Sequence, residues 1–224
     1  PRRPLSVCRA GDVLSSDALA EIEDKISSPI IKTDKVQDIW SEKFSSLMGC
    51  KSTKIISVVD RFALTNVWSF TSLCESGLAG FISHISKQGL KKHITVYTSK
   101  PVINNGVRNA AEKDGLSPEQ WVRKRIKLWE DNLRELPIKN EGSLTIKLVD
   151  DKFMLGPAHD RYIRAGRACW EIGCGLEIFE RSRPHDNISL TLKTTDEVLR
   201  KNDRIERKLN QRALGLDGIV IEIY

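Results

Sequence analysis

The sequence predicts an α/β domain: a mixed sheet flanked by helices, with a helical extension at its N-terminal side. Three observations carry that expectation. The run Ile55-Ile56-Ser57-Val58-Val59 is too continuously apolar for a half-exposed edge, so it reads as a central strand buried on both faces. From Val67 to Lys87 the apolar residues Trp68, Leu73, Leu78, Phe81, Ile82 and Ile85 recur at three and four residues, the stripe of an amphipathic helix packed on a sheet. A second strand, HITVYTS from His93, follows directly, and alternation of this kind builds a sheet layered with helices.

The other elements follow in chain order. Residues 1–50 read as the helical extension: SSDALAEIEDKISS opens with capping residues, and DKVQDIWSEKFSSLM puts Val36, Ile39, Trp40, Phe44 and Leu47 on one face before Gly49 ends it. Residues 51–224 read as the α/β domain. After the second strand, NNGVRNAAEKDGLSPEQ is polar and predicts turns, and Ser117, Pro118 and Glu119 mark the start of a helix. Val122, Ile126, Trp129, Leu133 and Leu136 form the seam of that helix. Its other face carries Arg123, Lys124, Arg125 and Lys127, which serve either as a solvated surface or as phosphate contacts. Then come a third strand, SLTIKLVDD, two short strands turning at Gly166, the strand NISLTLKTT, the charged helix DEVLRKNDRIERKLNQ and the strand GIVIEIY. The charged helix has a thin apolar stripe, so it lies on the surface or meets a protein partner through 194–211.

Composition narrows the function classes. With 40% hydrophobic and 29% charged residues among 224, the chain has enough apolar material for one main core and too much for disorder. No apolar run reaches the ~18 residues of a membrane span, and PRRPLSV has basic residues without the apolar stretch of an export signal. The 5 cysteines are scattered with no C-x-x-C spacing, which fits a reducing cytoplasm and predicts neither a disulfide framework nor a zinc site. His84, His93 and His185 have no ligand-spaced carboxylate or cysteine, so neither a metal nor a cofactor is expected. A net charge of +6 suggests an anionic partner, although ordinary soluble domains also carry such charge.

The segment GPAHDRYIRAGRACWEIGCGLEIF concentrates the chemistry. Arg161 offers a planar fork of donors matched to phosphate oxygens, and His159 can donate to the same anion. On one strand His159 and Arg161 would share a face while Asp160 pointed away, toward an adjacent loop or an arginine such as Arg164 or Arg167. Arg61, leaving the end of the first strand, is a second cation for the same rim, or else one half of a surface salt bridge. Trp170 serves core packing or base stacking, and Gly173 and Gly175 allow a bulge or a close backbone approach.

At VVDRF, HDRYI and WEIGCGLEIF the chain resembles the phospholipase D-like domain found at the C-terminus of microtubule-interacting and trafficking domain proteins, together with its bacterial relatives. The resemblance covers about residues 54–193. It rests on Asp60 and Arg61; Tyr97, Thr98 and Ser99; His159, Asp160 and Arg161; and Trp170, Ile172, Gly173, Gly175, Leu176 and Phe179. It implies a phospholipase D-like fold and a phosphate site. Catalytic members use His-x-Lys followed by an Asp, then a Gly-Ser and an Asn, and join two such motifs in one site. Here Arg161 stands in the Lys position, Gly166 in the Asp position, and Gly173-Cys174-Gly175 supplies no serine. Three roles therefore stand for His159 and Arg161: a structural hydrogen-bond network, anion binding, or catalysis in a homodimer. The expectation is a non-catalytic module binding nucleic acid or anionic lipid head groups through Arg61, His159, Arg161, Arg123, Lys124 and Lys127. The competing expectation is a dimeric phosphodiesterase in which His159 is the nucleophile and Arg161 holds the phosphate.

Overall fold

The computed structural model describes residues 35–64, 76–134, 142–155, 161–180, 188–215 and 218–223. Expectations for residues 1–34, for Trp68, Leu73 and Leu136, for the side chain of Trp129, and for His159, Asp160 and His185 lie outside the described residues.

The described part of the extension is helical, as its periodicity predicts: α1 (Val36–Ile39), a wider π turn (Trp40–Phe44) and α2 (Ser45–Met48). The extra residue in the π turn keeps Trp40, Phe44 and Met48 all buried against the sheet layer. Phe44 contacts Trp170 and Phe179 with ring centroids 5.3 Å apart in each case. The buried Trp170 indole N–H donates to the Lys43 carbonyl at 3.2 Å. Packing is therefore the role of Trp170, one of its two expected roles, and the ring is closed to base stacking.

The chain continues through β1 (Ile55–Val59), α3 (Gly77–Lys87), β2 (His93–Ser99), α4 (Asn105–Lys113), α5 (Pro118–Arg134), β3 (Ser143–Val149) and α6 (Asp151–Met154). It ends with β4 (Tyr162–Ala165), β5 (Ala168–Ile172), a 3-10 turn (Gly175–Phe179), β6 (Leu190–Lys193), α7 (Asp196–Ala213) and β7 (Ile219–Ile223). Among the described residues, seven strands form one mixed sheet in the order β6-β5-β4-β1-β2-β3-β7. β1, β2 and β3 run parallel, β4 is antiparallel to β1, and β7 is antiparallel to β3. β1 is thus central, and Ile56, Val58 and Val59 are fully buried as its continuous apolar run predicts.

Helices cover both faces. On one face Ile56, Val58, Val96, Ile146, Ile163 and Trp170 share a core with α1, α3 and α5. On the other, Val59, Tyr97, Val149 and Tyr162 meet Ile205, Leu209 and Ala213 of α7. The thin stripe of α7 is thus a packing face, completed by polar groups: Arg164 on β4 pairs with the buried Glu206, and the Asn202 amide donates to Cys169 Sγ at 3.0 Å. Three expectations need correction. The helix read from Val67 to Lys87 is α3 from Gly77, because Ser76 is extended and caps it by accepting from Ala79 N at 3.2 Å. The polar segment after β2 is helical over Asn105–Lys113, because Asn104 caps it by accepting from Val107 N at 3.0 Å and Ala111 buries its methyl. β4 begins at Tyr162, so Arg161 precedes the strand and is fixed instead by its carbonyl, which accepts from Ile172 N at 2.9 Å.

Candidate functional site

Strand direction gathers the polar residues at one end of the sheet. β1, β2 and β3 all end there, delivering Asp60 and Arg61, Ser99 and Lys100, and Asp150 and Asp151. β4 runs the other way with Tyr162 opposite Val59, so Arg161 arrives beside the residues that follow β1. β5 returns with Glu171 opposite Tyr162, which sends Gly173, Cys174 and Gly175 to the same end. Ligands of open α/β sheets gather beyond the carboxyl ends of parallel strands, and this is that end.

Asp60 is the buried centre, with 1% of its surface exposed. Its Oδ1 accepts from Phe62 N at 2.9 Å and its Oδ2 from Leu176 N at 2.7 Å, so one carboxylate ties the turn after β1 to the 3-10 turn after β5. Burial pushes its pKa up to about 6; the two N–H donors and the charge of Arg161 oppose the rise, and Glu177 adds to it. Gly175 sits against this carboxylate with φ +64°, and a Cβ there would stand 2.2 Å from Asp60 Oδ2. The close approach foreseen for the glycines is therefore, at Gly175, an approach to Asp60, and at Gly173 an approach to Ser189, whose Oγ would stand 2.9 Å from a Cβ. Cys174, beside it, has its thiol pushed up to about 12 by burial, so it stays a neutral thiol.

The two arginines differ. Arg61 is held by Asp151 in a two-pronged pair, Nε to Oδ1 and Nη2 to Oδ2, both at 2.6 Å, and the Ser99 hydroxyl donates to the same carboxylate at 3.0 Å. That pair holds the Asp151 carboxyl below its ordinary range. Of the two roles expected for Arg61, the geometry is that of the salt bridge. Arg161 makes no ion pair with a described residue; its guanidinium lies over the Phe62 ring at 5.5 Å, and Arg61 lies over the same ring at 5.0 Å. Phe62 is 39% exposed. The result is a tier in which a neutralised arginine and an aromatic ring support a second arginine that makes no ion pair with a described residue.

The basic face of α5 divides. Arg123, together with Lys100, Asp150 and Asp151, lines a cleft of about 640 Å³ at this same sheet end. Lys124 and Lys127 instead pair on the exposed surface with Asp114 at 3.3 Å and with Asp131 at 3.5 Å. Arg164 and Arg167, the partners expected for Asp160, are each held elsewhere, by Glu206 and Asp196. Among the described residues no three His, Cys, Asp or Glu side chains group as metal ligands, and no helix is long and apolar enough to cross a membrane. Sequence reasoning missed Phe62, Lys100 and Asp151 as site residues. A local signal was present in VDD at the end of β3: Asp150 follows Val149 as Asp60 follows Val59, and Asp151 stands next, in the place that Arg61 holds after β1.

Neither a protein-family model, nor a curated protein, nor a solved structure matches this chain.

Proposed function

We propose that this chain is a phosphate-binding module of phospholipase D-like type that holds a polyanion, nucleic acid in preference to lipid, without turning it over. The observation that carries the reading is Arg161: half-buried, pre-organised on Phe62, and without an ion pair to a described residue at the carboxyl ends of the parallel strands. A guanidinium aligned in advance loses little freedom when it grips a phosphate, and its fork matches two phosphate oxygens. His159 would join it as second donor, and Arg123 would add a further cation in the adjoining cleft, where Lys100 is paired with Asp150 and Asp151 with Arg61. Arg61, neutralised by Asp151, serves as the support of the tier.

The preference for nucleic acid rests on Phe62. An aromatic ring with a guanidinium laid over it is a combination with which single strands are held, the base stacking on the guanidinium plane and the phosphate drawn by its charge. The absence of turnover rests on Gly166, which sits in the β4–β5 turn with φ +61° at the opposite end of β4 from Arg161. A residue in that turn gives no carboxylate to the sheet end where the phosphate would lie.

The experiment is an equilibrium titration of the wild type and of Arg161→Ala against labelled single- and double-stranded DNA. Phosphatidylserine liposomes are titrated in parallel, and product formation is followed throughout. The expected result is DNA binding that weakens at least about tenfold in the variant, as for loss of one charge-assisted phosphate contact, with no product. Hydrolysis lost in His159→Ala would replace this reading with the dimeric phosphodiesterase, and binding to liposomes alone would replace nucleic acid with lipid.

A further inference from the structure

A groove of about 670 Å³ runs between α6 and α7, on the sheet face away from the helical extension. Its floor is apolar: Phe153 and Leu155 from one wall, Ile205 and Leu209 from the other, with Leu155 46% exposed. Its ionisable lining groups are all cations, Lys152, Lys208 and Arg212. Arg212 lies over the Phe153 ring at 4.5 Å and Lys152 over the same ring at 5.1 Å.

The charge pattern of α7 singles out this row. The helix pairs Arg200 with Asp196 and Arg207 with Asp203, its own carboxylates four residues earlier. Beyond Arg200 the same series carries no further carboxylate: Arg204, Lys208 and Arg212 follow four residues apart with one sign, and the last two line the groove. Like charges at that spacing repel and weaken the helix. The helix dipole favours a cation in the last turn, which accounts for Arg212 but not for the row. Lys208 and Arg212 are exposed and make no ion pair with a described residue. The fold thus carries a repulsion that an anionic occupant would relieve, above a floor that an anion alone would not use.

We propose that this groove docks an acidic peptide segment of a partner protein, with two apolar side chains one helical turn apart seated on the Phe153, Leu155, Ile205 and Leu209 floor. The row from Ile205 to Arg212 covers about 10 Å, enough for two such anchors in the helix-in-groove manner. Carboxylates flanking the anchors would meet Lys208 and Arg212. The inference does not depend on the phosphate reading of the other site, because no lining residue of the groove belongs to the Arg161 tier.

The test uses the full chain and a fluorescein-labelled pool of short acidic peptides with two leucines one helical turn apart. A second pool has serine in place of each leucine, and poly-dT is the competitor. Saturable binding of the leucine pool is expected, at least about tenfold weaker for the serine pool and for the Lys208→Glu/Arg212→Glu variant. That double variant gains attraction to Arg204 but sets two acids four residues apart, one of them in the last helical turn, so Lys208→Gln, which keeps the Arg212 cation at the C-terminus, is titrated beside it and should also weaken binding. Equal binding of both pools, undiminished binding by the double variant, or stoichiometric displacement by poly-dT would each overturn the proposal, the last by making the groove part of a polyanion surface.

Discussion

Asp60 holds a carboxylate where water cannot reach it, and the consequence is measurable. Its folded pKa of about 6 lies above the ordinary value near 3.8, so between those pH values the native state keeps a proton that the unfolded chain has released. Stability contributed by this group is therefore full at low pH and falls as pH rises through 6, by at most about 3 kcal/mol. Asp60→Asn removes the titration while leaving one N–H donor facing an amide NH2. The stability of the wild type relative to this variant should increase as pH falls from 7 to 5, measured by urea denaturation at each pH; a difference independent of pH would contradict the burial argument. The partner residue offers a second check. Gly175 and Gly115 both adopt left-handed backbone, φ +64° and +65°, but a Cβ meets Asp60 at the first and nothing within 4 Å at the second. Gly115→Ala should cost about 1 kcal/mol, and Gly175→Ala at least about 3 kcal/mol, since only the second adds a steric collision to the backbone strain. Comparable losses in thermal melts would remove the close approach from the account. At this scale the sequence was partly legible: Asp60, Arg161 and the glycines stood out by type and spacing. The pairing of Arg61 with Asp151 joins residues 90 apart in the chain, and no local spacing reports such a contact.

Among the elements, α7 shows where local pattern runs out. Its sequence is dominated by charge, yet Asn202, Ile205, Glu206, Leu209 and Ala213 are buried at helical spacing. The polar members of that stripe are affordable because β4 supplies partners: Arg164 donates to Glu206 Oε1 at 2.8 Å, and the Tyr162 hydroxyl reaches the same oxygen at 3.4 Å. Glu206→Ala would leave the largely buried Arg164 guanidinium without its carboxylate and should destabilise the fold by about 3 kcal/mol. The double variant Arg164→Met/Glu206→Leu should recover most of that loss, because two apolar groups leave no charge unpaired. Chemical denaturation of the three proteins decides it, and a double variant no better than the single would mean that the pair contributes more than its own compensation. The strands and the long helices were readable from period and caps. α4 was not, since its nine residues bury little beyond Ala111, so no apolar stripe existed to read. The thin stripe read in α7 has a different cause: its buried face includes Asn202 and Glu206, which count as polar until their partners on other strands are known.

The whole molecule depends on a topology in which β4 reverses beside β1 and places residues far apart in the chain at one end of the sheet. The alternation of elements made the α/β class legible. The strand order was not, because which strand neighbours β1 is decided by packing across the sheet and not by any strand's own sequence. That reversal is what brings Arg161 to Phe62 and Asp60, and the proposed function rests on it. The most direct measurement is the salt dependence of single-stranded DNA affinity for wild type and Arg161→Ala, with Phe62→Leu beside them. Each neutralised phosphate contributes a slope of about 0.7 in log affinity against log salt for single strands. The account expects Arg161→Ala to lower both affinity and slope by about one contact's share, and Phe62→Leu to lower affinity while keeping the slope. Identical affinity and slope in wild type and Arg161→Ala would contradict the assignment of this sheet end as a phosphate site.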